Sequence, residues 1–240
     1  MDAAWEELAP GVLRRRLPGW DATTGAVAGP DGVLVVDTGA TLAEGAAVRA
    51  GARERLGHPV THVALTHPHF DHVLGTPAFT GAEVYGAVGL GTVLTGRGRE
   101  ELRRDAVRHG VDPEEAARAA EALEPPGHPV SGELTLSLGG TRQVLLANVG
   151  PGHTCHDLAV LVPGAGPGDP EVVFCGDLVE ESGEPQAGPD ARPARWPAAL
   201  DRLLALGGED AVYVPGHGAV VDAAFVRAQR DALARRFGAG

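Results

Sequence analysis

The chain of 240 residues contains no lysine, no isoleucine and a single asparagine, and all 20 of its basic residues are arginine. Without lysine, Schiff-base chemistry and the lysine-bearing phosphate loop of nucleotide hydrolases are excluded. Two cysteines, Cys155 and Cys175, are too few for a disulfide framework and fit a reducing compartment. No run approaches the roughly 20 apolar residues that cross a bilayer. The opening, MDAAWEELAP, is acidic and has no apolar stretch of signal-peptide length. The expectation is therefore a cytoplasmic protein without a membrane partner. A basic stripe is also missing, and the net charge of −12 argues against nucleic acid as a partner.

What is present is an ordinary globular composition, 43% apolar, in a chain long enough for one large domain. The continuous apolar run in GVLVVDTGA (32–40) predicts a buried strand ended by glycine. A helix is expected over about 42–56, then strands at 60–65 and 82–86. Residues 87–123 are rich in charge and alanine and predict two exposed helices broken at GVDP. Strands follow at 133–138, 142–149, 158–162 and 171–175, a Pro/Gly-rich loop over 176–196, a helix at 196–206, a strand at 211–214 and a helix at 222–236. Strands grouped in each half, with helices to cover outer faces, predict a layered α/β domain. The absence of a crossover helix between 133 and 175 implies mixed sheets.

One loop stands out. THPHFDH (66–72) places three histidines and an aspartate on seven positions after a strand. Pro68 biases His67 toward extended backbone, where residues two apart point the same way. His67 and His69 can therefore converge on one cation, with Asp71 and His72 turned toward a second. The remaining candidates follow other strands: His153 in GPGHTCHD, Asp177 in VVFCGDLVE and His217 in VYVPGHGAV. Seven ligand types at four strand ends is the layout of a site built on rigid elements. A lone loop histidine is usually solvated or hydrogen-bonded, and His58, His109 and His128 are read that way, whereas His62, inside a strand, is read as packed.

THPHFDH, GPGHT, GD and VPGHG, in this order and at these spacings, resemble the metallo-β-lactamase superfamily over nearly the whole chain from VVDTG onward. The resemblance implies an αββα sandwich of two mixed sheets with helices outside, and a metal pair at the edge of the packed sheets. It implies one domain over 1–240, with 87–123 as a helical insertion. His67, His69 and His153 would hold the first ion, Asp71, His72 and His217 the second, and Asp177 would bridge them. The cofactor implied is two zinc ions, with iron or manganese as the alternatives, and Asp71 and Asp177 would be the catalytic carboxylates. Asp37 of VVDTG is read either as orienting the ligand loop or as a simple turn aspartate.

Such a site implies hydrolysis of a small-molecule ester, lactone, thioester or amide by a water activated between the cations. β-Lactamases of the superfamily often carry cysteine at the Asp177 position and lysine three residues on. Here Asp177 and Glu180 stand there, so a substrate carboxylate would be repelled and β-lactam turnover would be weak. An iron-dependent oxidoreductase of the same fold, acting on persulfide or oxygen, is the rival reading. The segment 87–123 and the loop 178–196 are expected to wall the pocket, with Trp196 read either as the end of that wall or as a core residue at a helix start. Cys155 and Cys175 are expected near the metals in packing roles, and His156 as a substrate contact or proton relay.

Overall fold

The structure, a computed structural model, describes residues 4–238; the expected domain limits, residues 1 and 240, lie outside them. One sheet has seven strands in chain order, β1 (Glu6–Ala9), β2 (Val12–Arg16), β3 (Thr23–Gly29), β4 (Gly32–Val36), β5 (Val60–Leu65), β6 (Glu83–Ala87) and β7 (His128–Val130). Pairing is antiparallel from β1 to β4 and parallel from β4 to β7. The second sheet has the order β12-β11-β10-β9-β8, with β8 (Glu133–Ser137), β9 (Gln143–Asn148), β10 (Leu158–Val162), β11 (Val172–Glu180) and β12 (Val212–His217). Only β11 and β12 are parallel in it. Both sheets are thus mixed, as expected.

Alternation along the strands distributes side chains into three cores. In β4, Val33 and Val35 face one core while Leu34 and Val36 face another. In β10, Leu158, Val160 and Val162 share the core of Leu34, whereas Ala159 and Leu161 face the opposite side. The middle core therefore glues sheet to sheet. The outer core of the first sheet is closed by α1 (Leu42–Leu56), α2 (Phe70–Val73), α3 (Leu90–Val93), α4 (Gly96–Arg108) and α5 (Pro113–Ala122). The outer core of the second is closed by α6 (Trp196–Gly207) and α7 (Ala223–Phe237). This is the αββα sandwich. Each fully buried Val or Leu contributes about 1.5–3 kcal/mol of burial, which is why continuous apolar strands suit sheets covered on both faces.

Helix α1 begins and ends where the sequence dictates. Thr41 accepts from Glu44 N at 3.0 Å while the Glu44 carboxylate accepts from Ala40 N at 2.8 Å, a reciprocal cap. Gly57, with φ of +74°, closes the C-terminus.

Four expectations change. No strand is predicted before residue 32, yet β1–β3 occupy that region. Strand β7 begins at His128, which lies in a strand and not a loop but is exposed, in keeping with its reading as solvated or hydrogen-bonded. The segment 87–123 forms three helices, not two, and they are exposed on one face only, since Leu102, Ala106, Ala116 and Ala119 are buried. The strands read as ending at 175 and 214 run on to Glu180 and His217, so Asp177 lies within a strand.

Candidate metal centre

All seven predicted ligands meet where the C-terminal end of β5 faces the ends of β9, β11 and β12. His69 is extended, with φ of −96° and ψ of 151°, and starts α2, so Asp71 and His72 sit on its first turn. Phe70 anchors this short helix between Trp20, edge-on at 5.5 Å, and His109, stacked at 5.3 Å. His109 is therefore a packing partner of the ligand helix. His153 comes from the loop after β9, Asp177 from within β11 and His217 from the end of β12.

A break in strand alternation aims Asp177. In a regular strand Cys175 and Asp177 would share a face. Gly176 has φ of +53°, and the β11–β12 register shifts beside it. Cys175 accordingly joins the outer core while Asp177 turns into the site. Gly216 must be glycine for a related reason, because a Cβ there would lie 1.8 Å from Asp177 Oδ1.

The ligand atoms form two sets. Atoms of His67, His69, His153 and Asp177 lie within 4.8 Å of one another, and so do those of Asp71, His72 and His217. In the first set His153 Nε2 is 3.0 Å from His69 Nδ1, and Asp177 Oδ2 is 3.4 Å from His153 Nε2 and 3.5 Å from His67 Nε2. In the second, His217 Nε2 is 3.4 Å from both His72 Nε2 and Asp71 Oδ2. Ligands about 2.0–2.1 Å from a tetrahedral cation lie about 3.3–3.4 Å apart, so these are the separations of a coordination shell. His67 Nε2 and Asp177 Oδ1 are buried without a hydrogen bond, which suits groups that await a cation. The residues therefore fit a metal pair, and these groups can hold one.

The other ring nitrogens fix the tautomers. His72 Nδ1 donates to Asp37 Oδ2 at 2.9 Å, and His217 Nδ1 to the Trp20 carbonyl at 2.8 Å. His67 Nδ1 donates to Thr66 Oγ1 at 2.9 Å, and that hydroxyl donates to Asp37 Oδ2 at 2.7 Å. His69 offers Nε2 to Asp190 Oδ2 at 3.2 Å, leaving Nδ1 for the site. Asp37 also accepts from Thr66 N at 2.8 Å and sits at φ of +58°, a strained conformation held by these bonds. It orients the ligand loop, the stronger of the two readings offered for it.

The electrostatics of the two sets differ. Burial pushes His67 down to about 3 and His153 well below the usual imidazole range, so both stay neutral. Burial also opposes charge on His72 and His217, but Asp177 outweighs it, joined at His72 by Asp71 and Asp37. His72 lies well above its ordinary value and His217 rises to about 9. At Asp177 burial is overcome by His72, His67 and His217, which hold the carboxyl well below its ordinary range.

Supporting residues missed in the sequence complete the picture. Buried Asp157 gathers the His153 loop, accepting from Gly152 N at 2.8 Å, Thr154 N at 2.9 Å and Thr154 Oγ1 at 2.6 Å. Glu181 accepts from Ala219 N at 2.7 Å while its own N–H donates to the His217 carbonyl at 3.2 Å. Asp157 was within a quoted motif, and its position four residues after His153 was the available signal. Asp190 carried none, lying 121 positions from His69.

The remaining candidates separate. Trp196 is fully buried, donates to the Leu178 carbonyl at 3.0 Å and meets the His153 ring at 5.3 Å, the core role of its two readings. Cys155 is half-buried in the His153 loop, whereas Cys175 faces the outer core, away from the ligand set, and both are free. His156 Nδ1 donates to the Val88 carbonyl at 3.0 Å, tying this loop to the end of β6. Among the described residues no helix is long and apolar enough to cross a membrane.

Solved structures share this architecture. DIM-1 metallo-β-lactamase is 17% identical and covers 98% of this chain and 99% of its own, at a TM-score of 0.73. The metallo-β-lactamase FIM-1 from Pseudomonas aeruginosa, in a mono-zinc form, is 21% identical over 99% of this chain and 96% of its own, at 0.70. A metallo-β-lactamase from Pontibacter korlensis is 20% identical over 96% and 99%, at 0.71. At these identities the likeness is one of fold. The family model of the metallo-β-lactamase superfamily matches residues 17–217, a span that includes all seven ligand candidates, and the chain belongs to that superfamily.

Proposed function

We propose that the chain is a metal-dependent hydrolase of a small-molecule ester, lactone, thioester or amide, working with two zinc ions in one domain that carries 87–123 as a helical insertion. His67, His69 and His153 are assigned to the first ion, Asp71, His72 and His217 to the second, and Asp177 to both. The observation that carries this reading is the convergence of seven side chains at coordination-shell separations, with buried His67 Nε2 and Asp177 Oδ1 lacking any hydrogen bond. Zinc is supported by the imidazole-rich donor set and by the mono-zinc form of one structural neighbour.

When bound, such an ion pair lowers the pKa of a water to about 7 and polarises an acyl oxygen. Asp71, whose Oδ2 lies 3.4 Å from His217 Nε2, orients the attacking water and takes its proton. Asp177 keeps both sets in register. The acyl carbon gains the water oxygen, and the departing oxygen, sulfur or nitrogen takes up a proton as its bond breaks. Asp37, Thr66, Asp190 and the Trp20 carbonyl hold the imidazoles in the required tautomers.

The substrate class follows from charge. Asp37, Asp71, Asp177 and Asp190 all touch the imidazole cluster. Two divalent cations balance these four carboxylates, and Glu180 adds a further negative charge close by. A substrate carboxylate is therefore disfavoured, which sets uncharged acyl compounds ahead of β-lactams. The free thiols of Cys155 and Cys175 support a cytoplasmic setting.

A panel of lactone, thioester, ester, amide and β-lactam substrates, run on zinc-loaded and fully chelated protein, tests the proposal. Turnover of an uncharged acyl substrate that disappears on chelation and returns with zinc is expected. Undiminished turnover after complete metal removal would overturn it.

A further inference from the structure

Glu180 has no part in the seven-ligand assignment, yet it lies close to the centre. Its carboxylate and the ligand atoms of Asp177 and His217 lie within 4.8 Å of one another, a third group of coordinating type beside the two already described. Strand β11 continues to Glu180 and pairs it with His217 across the ladder, so rigid backbone fixes this proximity. The backbone is further held by Glu180 N donating to Gln229 Oε1 at 3.0 Å, and by Gln229 Nε2 donating to the Leu178 carbonyl at 2.7 Å. The Ser182 hydroxyl donates to Glu180 Oε1 at 2.6 Å and orients the carboxylate.

A half-buried carboxylate beside Asp177 costs like-charge repulsion and desolvation. Asp177 Oδ1, in a residue only 8% exposed, accepts no hydrogen bond and lies 3.2 Å from Nε2 of His72, a member of the second set. Two carboxylates and an imidazole whose coordinating atoms lie within 4.8 Å of one another have a cation as their common partner. We propose that Glu180 is an additional ligand of the ion held by Asp71, His72 and His217, an inference that rests on the two-ion reading above. The centre is then asymmetric. The first position is rich in imidazole, and the second combines two imidazoles with the carboxylates of Asp71, Asp177 and Glu180. Carboxylate ligands favour harder ions that accept more ligands, manganese above all, whereas imidazole favours zinc. The second position is thus assigned a greater tolerance of manganese than the first.

The test uses the full chain, stripped of metal and titrated with zinc, manganese or cobalt, in the native form and in the variants Glu180→Gln and Glu180→Asp. Calorimetry gives the affinities of the two positions, and the visible absorption of bound cobalt reports its coordination number. Glu180→Gln should weaken manganese at the second position at least tenfold and leave first-position zinc within about twofold. It should also intensify the cobalt bands of the second position, as expected for a ligand lost from a shell of high coordination number. Glu180→Asp keeps the charge and withdraws it by one methylene. If the carboxylate is a ligand, Glu180→Asp resembles Glu180→Gln in the cobalt spectrum; if it acts only as a distant charge, neither variant alters that spectrum and the proposal fails. Unchanged manganese affinity in Glu180→Gln would also overturn it. A native protein that binds two ions with Glu180 irrelevant leaves the hydrolase reading intact, whereas a native protein that binds none refutes both.

Discussion

The two halves of the metal centre reach readiness by opposite means. In the half made by His67, His69 and His153, desolvation keeps His67 near a pKa of about 3 and His153 well below its ordinary value, while at His69 burial is outweighed by Asp190 and the pKa is raised. The half made by Asp71, His72 and His217 relies on carboxylates, which raise His72 well above its ordinary value and His217 to about 9. In the first half most of the nitrogens are already free to bind an ion. In the second, the raised imidazoles of His72 and His217 set protons in competition with an ion. The same residue type therefore serves two electrostatic designs a few ångströms apart, and the difference is set by which carboxylates face each ring.

The strongest way to erase the difference is to remove what the halves share. Asp177→Ala should lose both ions together and reduce turnover by about 1000-fold or more, checked by metal analysis and steady-state rates. Retention of one ion at full affinity would mean that Asp177 belongs to one half only. His69→Ala and His217→Ala should separate the halves, each losing one ion and about 100-fold in rate, with elemental analysis reading one ion per chain in both.

Smaller effects sharpen the contrast through residues behind the ligands. Asp37→Asn keeps the side-chain shape at a left-handed position that asparagine tolerates, but spoils the acceptors of Thr66 and His72. It should cost about 10–100-fold in metal affinity, measured by competition with a chromophoric chelator. Asp190→Asn removes a partly exposed carboxylate that bonds His69 and should cost less than about tenfold. Equal losses in the two variants would remove the distinction drawn between a buried and an exposed carboxylate.

The smallest effect is a pH signature of the metal-free protein. The folded pKa of His67 lies below its unfolded value, so folding stability is lost as pH falls from about 6.5 toward 3. The folded pKa of His217 lies above its unfolded value, so its contribution is complete below about 6.5 and is lost as pH rises through about 9. Burial raises Asp157 to about 7, which offsets most of the His67 gain on the acid side, and the depressed His153 keeps the net gain positive. Thermal unfolding should therefore peak near pH 6.5. A midpoint that stays level from pH 6.5 to 9 would contradict the role given to the carboxylates around His217.

Much of this was legible in the sequence where the signal was local. The loop THPHFDH declares itself because proline, three histidines and an aspartate are adjacent. The helix at Leu42–Leu56 and the strand at Val60–Leu65 match their expected limits, since caps and apolar runs mark both. Asp177 was legible as a candidate ligand but not as a strand residue, because Gly176 reads as a terminator and in fact acts as a bend within β11. Strands β1–β3 escaped notice since TTGAVAG and VLRRR lack a long apolar run, and their pairing comes from neighbours along the sheet. The three buried alanines of α5 likewise lack the apolar bulk that marks a core face.

The ligand loop at the end of β5 belongs to the seven-stranded sheet, whereas His153, Asp177 and His217 belong to the five-stranded one. An ion pair held there would bridge the two layers, adding to the apolar middle core and to backbone bonds such as Leu158 N to the Thr66 carbonyl at 2.7 Å. Bound metal would then work as a rivet across the seam of the sandwich, and stripping it from loaded protein should speed backbone hydrogen exchange at the facing ends of β5 and β11 before the outer helices loosen.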